Sequence, residues 1–404
     1  MPELREVVVC APVRTPVGRL GGALAPLTAR DLATTVLQAL VDRTRLDPAA
    51  VSSVIGAQSY PTMESPAIGR VAALDAGFPV TTTGYQLDRR CGSGLQAVLN
   101  AAMEVQTGVA DVVVALGVES MSHAPLYTEQ GRWGSPPDGL LLHDALPRGR
   151  LTAGGAAYPT PEGNVGTAEA LRAEYGIGRH EQDALALRSH QRAVAARDAG
   201  AFDAETVPVE VPGRRGTVVV DRDEHPRPDS SLDALAALRP VLAGRDPEAT
   251  VTAGNASGQN DAAAACVVTT PGHARALGLQ PCLRLRAWAV AGVDPRRFGI
   301  APVPATLLAL GRAGATLGDL DVIELNEAFA VQVLACLADW HIDPEDPRVN
   351  PRGSGISLGH PIGATGIRIL ATLAHELPAV DGTLAVETLC IGGGQALAAV
   401  LERV

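Results

Sequence analysis

The chain carries the same short unit twice, and that confines it to folds built from two related halves. A helix-like stretch at residues 31–43 leads through Leu46-Asp47-Pro48 into Val51-Ser52-Ser53-Val54-Ile55. A second, at residues 304–313, leads through Leu317-Gly318-Asp319 into Leu320-Asp321-Val322-Ile323. Each reads as a helix, a short acidic turn and a buried strand. Two cysteine motifs also echo each other, Cys91-Gly92-Ser93-Gly94-Leu95-Gln96-Ala97 and Cys390-Ile391-Gly392-Gly393-Gly394-Gln395-Ala396. The match is loose, the pattern of a diverged duplication.

Runs such as Val112-Val113-Val114-Ala115-Leu116-Gly117 are continuously apolar, as expected of a sheet covered by helices on both faces. Alternation with helices predicts an α/β architecture. Between residues 123 and 249 the texture changes. Gly, Pro and Arg become frequent, with Ser135-Pro136-Pro137-Asp138-Gly139 and Glu224-His225-Pro226-Arg227-Pro228-Asp229 as loop signals. A polar helix is expected inside it, at about residues 179–199. The expected division is a first half at 1–122, completed by about 250–280, an inserted segment at 123–249 and a second half at 281–404. The insertion would cover a site built by the two halves.

Composition removes whole classes of chemistry. All 33 basic residues are arginine. Without lysine there is no Schiff base, no pyridoxal-phosphate anchor and no Walker A loop. A net charge of −11 argues against nucleic acid or an anionic membrane as partner. No apolar run is long enough to span a bilayer. The charged start, Glu3-Leu4-Arg5-Glu6, runs straight into Val7-Val8-Val9 and leaves no room for a signal peptide, so a cytoplasmic location is expected. Six cysteines stand singly, with no C-x-x-C pair and no ligand spacing for a metal.

Three motifs carry the chemistry. Arg89-Arg90-Cys91-Gly92-Ser93-Gly94 sets a thiol where a helix should begin, a place that favours thiolate. Thr388-Leu389-Cys390-Ile391-Gly392-Gly393-Gly394 ends a strand-like run in a glycine turn whose amides could form an oxyanion hole. Ser357-Leu358-Gly359-His360-Pro361-Ile362-Gly363 brackets one imidazole with glycines. Each alone reads more simply as a core thiol or a satisfied histidine. Together, two thiols and an imidazole in open backbone suggest carbon–carbon chemistry on a thioester. Cys10, Cys266, Cys282 and Cys336 lack glycine loops and read as core or incidental thiols.

With Leu325-Asn326-Glu327-Ala328-Phe329-Ala330 and Val251-Thr252-Ala253-Gly254-Asn255-Ala256-Ser257-Gly258, these motifs make the chain resemble the thiolase family, the acetyl-CoA acetyltransferases in particular. The resemblance runs from Ala11-Pro12-Val13-Arg14-Thr15-Pro16 to the C-terminal glycine motif. It implies a thiolase-like fold of two similar layered α/β halves with an inserted loop domain. It also implies a thiolase making or cleaving 3-ketoacyl-CoA with ping-pong kinetics, on short acyl chains.

Carried over by position, Cys91 would be the acylated nucleophile, His360 its activator and Cys390 the acid/base at the α-carbon. Asn326 would hold a water beside His360, and the amides of Cys91 and Gly392 would form a second oxyanion hole. Arg227, Ser257, Ala253, Ala328 and Phe329 fall where the family meets coenzyme A or substrate, and Val165 near the acyl pocket. The resemblance implies coenzyme A as substrate, no tightly bound cofactor, no metal, and a homodimer or homotetramer. Asn164-Val165-Gly166 departs from the His-Met-Gly of many acetoacetyl-type members, which puts more room near the acyl group. Two other readings stay open: a cysteine-dependent acyl-CoA hydrolase, and a non-catalytic acyl-CoA-binding relative.

Overall fold

The computed structural model describes residues 4–404. Ten strands form one mixed sheet: β1 (Val8–Arg14), β2 (Gly18–Arg19), β3 (Ser53–Ala57), β4 (Thr83–Leu87), β5 (Val112–Ser120), β6 (Asn260–Thr269), β7 (Pro281–Gly292), β8 (Val322–Leu325), β9 (Leu384–Ile391) and β10 (Gln395–Arg403). Their order is β8-β9-β10-β7-β1-β6-β5-β3-β4, with the short β2 on β6.

The duplication is visible in the pairing. In the first half β1, β6 and β5 pair antiparallel, then β3 and β4 add parallel. In the second half β7, β10 and β9 pair antiparallel, and β8 adds parallel. A parallel bridge between Ile323 and Val349 stands where β4 stands in the first half. β1 and β7 join the halves antiparallel.

Helices follow the same order. α1 (Ala29–Thr44) precedes β3, as α7 (Pro302–Ala313) precedes β8; α2 (Ile68–Asp75) follows β3, as α8 (Ala330–Trp340) follows β8. α3 (Ser93–Thr107) precedes β5, and α9 (Thr365–Ala379) precedes β9. The helix–acidic turn–strand unit read from the sequence is α1-to-β3 and α7-to-β8. α1 starts where Thr28 and Asp31 cap each other reciprocally, a contribution of about 1 kcal/mol. The echo between the cysteine motifs is not part of the repeat. Cys91 precedes α3, whereas Cys390 lies in β9. The position equivalent to Cys91 is the approach to α9, which carries His360.

Burial sorts these elements into layers. One apolar core joins α3 and α9 to the inward face of both half-sheets. Two outer cores pack α1 and α2 on one half-sheet, and α7 and α8 on the other. The two buried central helices therefore begin close together, and that crossing positions the chemistry. Within 123–249 lie α4 (Ala145–Leu151), α5 (Gly163–Tyr175) and α6 (Arg179–Asp198), plus a hairpin of Val209–Gly213 and Gly216–Val220.

Candidate active site

Cys91 sits in a single tight turn, Arg90–Gly92, between β4 and α3. Arg90 holds the left-handed region at φ 47°, and the Ser93 hydroxyl fastens the turn by accepting from the Arg89 amide at 2.8 Å. Glycine is required here by close approach, not by turn geometry. A Cβ on Gly92 would lie 2.4 Å from Ile391 Cδ1, and one on Gly94 2.8 Å from the Gly363 carbonyl oxygen. A Cβ on Gly366 would lie 2.2 Å from the Leu95 amide nitrogen. The glycines of the three motifs thus let α3 press on both the His360 loop and the Cys390 strand end.

The Cys91 thiol is buried, and burial pushes its pKa up from the ordinary value. Arg90, the Gly392 amide, Arg150 and its own amide pull the other way. This corrects the expectation from the helix start. The few amide dipoles of α3 are outweighed by the loss of water around the sulfur, so the resting group is a thiol. The two amides remain informative, because the N–H groups of Gly392 and Cys91 both favour negative charge on the sulfur.

Cys390 is fully buried in β9, and burial followed by the nearby Cys91 drives its thiol well up. The structure therefore brings the two thiols together. Beyond them Gly393 and Gly394 take φ 92° and 81°, turning the chain so that the Gly392 amide faces Cys91.

His360 is held from two sides. Its amide donates to Asn260 Oδ1 at 2.9 Å, and its Nδ1 lies 2.7 Å from Thr365 Oγ1. That hydroxyl donates to the Pro361 carbonyl at 3.0 Å, so it accepts from Nδ1–H. The tautomer follows: Nε2 carries the lone pair, and it is buried with no partner in the protein. Burial, with Arg368 and Arg150 adding to it, lowers the His360 pKa to about 3. The resting imidazole is neutral. Asn326 is likewise buried with neither Oδ1 nor Nδ2 engaged.

The remaining expected residues lie in one strap and its surroundings. Ala256 bridges antiparallel to Phe329, and the Ser257 amide donates to the Ala328 carbonyl at 2.9 Å, which gathers Ser257, Ala328 and Phe329 beside Asn326. Ala253 is exposed at the start of that strap, and Arg227 is exposed on the insertion, its amide donating to His190 Nδ1 at 3.2 Å. Val165 is half-buried against the second outer core, and it is Asn164, its neighbour, that reaches the glycine turn. A Cβ on Gly392 would be 3.8 Å from Asn164 Oδ1.

Three residues escaped the sequence reading. Glu119, fully buried at the end of β5, accepts from the amides of Ser59 at 3.0 Å, Tyr60 at 3.1 Å and Gly363 at 3.1 Å. Burial outweighs those donors and raises its pKa to about 7. Asn260 supports His360 and donates to the Gly18 carbonyl at 2.9 Å. Arg150, on α4, lies within electrostatic reach of both Cys91 and His360. The available signal for the first two was a polar residue at the end of an otherwise apolar strand.

Two thiols, a neutral imidazole and unspent donors around them, on a duplicated layered α/β frame, define a cysteine-dependent acyltransferase. The chain matches the thiolase N-terminal domain over residues 7–271 and the thiolase C-terminal domain over residues 279–403. It is 46% identical to the beta-ketothiolase BktB of Cupriavidus necator, over 99% of this chain and 100% of that one. It superposes on the crystal structure of the Bacillus anthracis acetyl-CoA acetyltransferase with a TM-score of 0.94 and 42% identity, covering 100% of both chains. Human mitochondrial 3-ketoacyl-CoA thiolase in complex with CoA matches at a TM-score of 0.92 and 37% identity, over 99% and 98% of the two chains. The chain belongs to the thiolase family, and it is an acyltransferase. No helix among the described residues is long and apolar enough to cross a membrane.

Proposed function

We propose that the enzyme cleaves short-chain 3-ketoacyl-CoA, and forms it in reverse, through an acyl group carried on Cys91. The observation that carries this reading is the meeting of the Gly392 amide, the Cys390 thiol and the Cys91 sulfur. In thiolysis the Cys91 proton passes to Nε2 of His360 while the sulfur attacks the 3-keto carbon. The oxyanion is met by the amides of Cys91 and Gly392. As the tetrahedral adduct collapses, the C2–C3 bond breaks and its electron pair enters the thioester enolate. His360, now carrying Nε2–H, and Asn326, through a water, stabilise the enolate oxygen. Cys390 gives its proton to C2, and acetyl-CoA leaves. Coenzyme A then yields its thiol proton to Cys390 and attacks the acyl group, and Cys91 regains its proton from His360. Protons and electrons balance over the cycle.

A hydrolase would give Cys390 no task. The burial of Cys91, Cys390 and His360 supports a small acyl group such as that of acetoacetyl-CoA, and Val165 in place of a longer side chain supports tolerance of somewhat longer chains. The Ser257, Ala328 and Phe329 strap, with Ala253 and Arg227 at the outer side, is the proposed path of coenzyme A across the 123–249 insertion. That insertion interrupts a first half at 1–122 that resumes at about 250–280, and 281–404 forms the second half. The exposed Tyr85 on the free edge of β4 supports a homodimer or homotetramer, and the working compartment is the cytoplasm. Incubation with radiolabelled acetyl-CoA followed by peptide mapping tests the central claim. Label belongs on the Cys91 peptide, and label on Cys390 instead overturns the assignment.

A further inference from the structure

α4 roofs the site with one face. Leu146 packs with Tyr60, Cys91 and Ile362, and Arg150 stands one turn further along that face. Between them a Cβ on Gly149 would lie 2.6 Å from Arg90 Nη2, so the helix is seated directly on the turn that holds Cys91. The backbone and Cβ of Arg150 lie against Gly163, whose own Cβ would be 3.4 Å from Arg150 Cβ, so α4 meets the chain one residue before Asn164, the side chain that reaches the Gly392 turn. With the Gln259 carboxamide oriented as its neighbours require, its oxygen accepts from Arg150 Nη2 at 2.8 Å and Nη1 at 3.3 Å. That ties the guanidinium to the residue before Asn260, the support of His360, and within electrostatic reach of that imidazole.

No carboxylate among the described residues pairs with Arg150, although it is half-buried. Arg90, the other arginine at this turn, is paired with Asp88 and stacked on Tyr60. A guanidinium has five donors, and one amide oxygen uses only part of them. Leaving a partly desolvated cation unpaired is unfavourable unless a ligand completes it. The phosphates of coenzyme A lie at the far end of the pantetheine arm from the thioester and do not meet it when the thioester is at Cys91. An acetyl group offers no anion.

We infer that Arg150, together with Asn164, selects 3-ketoacyl thioesters whose acyl chain ends in a carboxylate. This rests on the thiolase reading above and names its preferred substrate class. A guanidinium–carboxylate pair gives charge-assisted hydrogen bonds in a fixed fork, and Asn164 adds a neutral donor. The apolar wall of Leu146 and Ile362 carries the methylenes between thioester and acid.

The test compares thiolysis of 3-oxoadipyl-CoA with that of 3-oxohexanoyl-CoA, the same chain length ending in a methyl group. Their kcat/KM ratio is measured in the wild type, Arg150→Gln and Arg150→Lys. The wild type favours the acid, and Arg150→Gln lowers the ratio roughly 10- to 100-fold, the scale of one charged hydrogen-bonded pair. Arg150→Lys, keeping charge without the fork, falls between. A wild-type ratio near one, or the same ratio in wild type and Arg150→Gln, overturns the inference. So does a rise in KM for coenzyme A that is equal with both substrates, since that makes Arg150 a coenzyme contact. Should the variants not fold, binding of adipyl-CoA and hexanoyl-CoA to Cys91→Ala at low and high salt decides it. Both ligands share the coenzyme phosphates, so both affinities fall with salt, but the acid's should fall more steeply, and equal salt dependence refutes the pairing. If the wild type cleaves neither ketoacyl substrate nor acetoacetyl-CoA, it is the thiolase reading itself that fails.

Discussion

The backbone amide of Gly392 lies near enough to the sulfur of Cys91 to draw its pKa down, and that same sulfur lies near enough to Cys390 to raise the pKa of the second thiol. Both thiols are buried, so two thiolates side by side would combine desolvation with like-charge repulsion. The pair therefore carries at most one negative charge at a time. That restriction suits a cycle in which Cys91 is acylated, and hence neutral, when Cys390 is a thiolate, and Cys390 is protonated when Cys91 carries the charge.

Separate tasks for the thiols are testable in one variant. Cys390→Ala should still transfer an acetyl group from acetyl-CoA to Cys91, because the Gly392 amide and His360 are untouched. Exchange of the acetyl-CoA methyl protons with deuterium should fall by about 10²–10⁴, the usual worth of a positioned acid/base. Exchange continuing at the wild-type rate would assign the proton transfer to another group.

Burial of Cys91 sets a pH signature. With its pKa above the ordinary 9.0, the thiolate fraction rises about tenfold per pH unit through neutrality. Iodoacetamide inactivation should therefore keep accelerating up to pH 9 without a plateau. His360 adds no inflection, because a pKa of about 3 keeps it neutral throughout. Its folded pKa lies below the ordinary 6.5, so its contribution to stability is present above 6.5 and lost as pH falls toward 3. A plateau below pH 8 would show that amides and arginines overcome burial at Cys91.

Much of this site was legible in the sequence because its chemistry lies in short glycine-rich motifs. Cys91, His360 and Cys390 all stand where backbone approaches closely, and glycine marks such places directly, whereas Asn326, in Leu325-Asn326-Glu327-Ala328, has no such mark and was pointed to by the family resemblance alone. The helix–turn–strand repeat was legible for a similar reason: apolar periodicity and capping are local. What escaped depends on contacts between distant segments. Glu119 meets Gly363 across 244 positions and Asn260 meets His360 across 100, and nothing local in either neighbourhood names the partner. The Cys91–Cys390 echo misled because similar composition does not fix equivalent topology. Pairing order shows that His360, not Cys390, precedes the helix equivalent to α3.

Asn260 is a positioning residue. It touches the His360 amide but not the imidazole, and it anchors that loop to Gly18. Asn260→Ala should lower kcat more than it raises KM, since the loss falls on orientation in the transition state. Asn260→Asp keeps an acceptor for the His360 amide and should recover part of kcat. Equal loss in both variants, with KM rising instead, would make Asn260 a substrate contact.

Glu119 joins two loops that carry different parts of the chemistry. Its carboxyl group accepts from Ser59 and Tyr60 beside the Cys91 turn, and from Gly363 just after His360. Glutamine in its place offers one oxygen, and its NH₂ faces an amide donor, so one buried N–H is left without an acceptor. Glu119→Gln should cost about 1–3 kcal/mol, the penalty for an unsatisfied buried group, and should loosen both loops, lowering kcat. The form of its pH dependence separates two physical accounts. With a folded pKa of about 7 against an ordinary 4.5, the wild-type carboxyl contributes most below 4.5 and loses that contribution as pH rises through 7. The stability gap between wild type and Glu119→Gln, read by urea unfolding, should then narrow between about pH 5 and 8. A gap that stays level over that interval, and changes only below about pH 5, would mean that the three amide donors outweigh burial and that the folded protein holds Glu119 ionised.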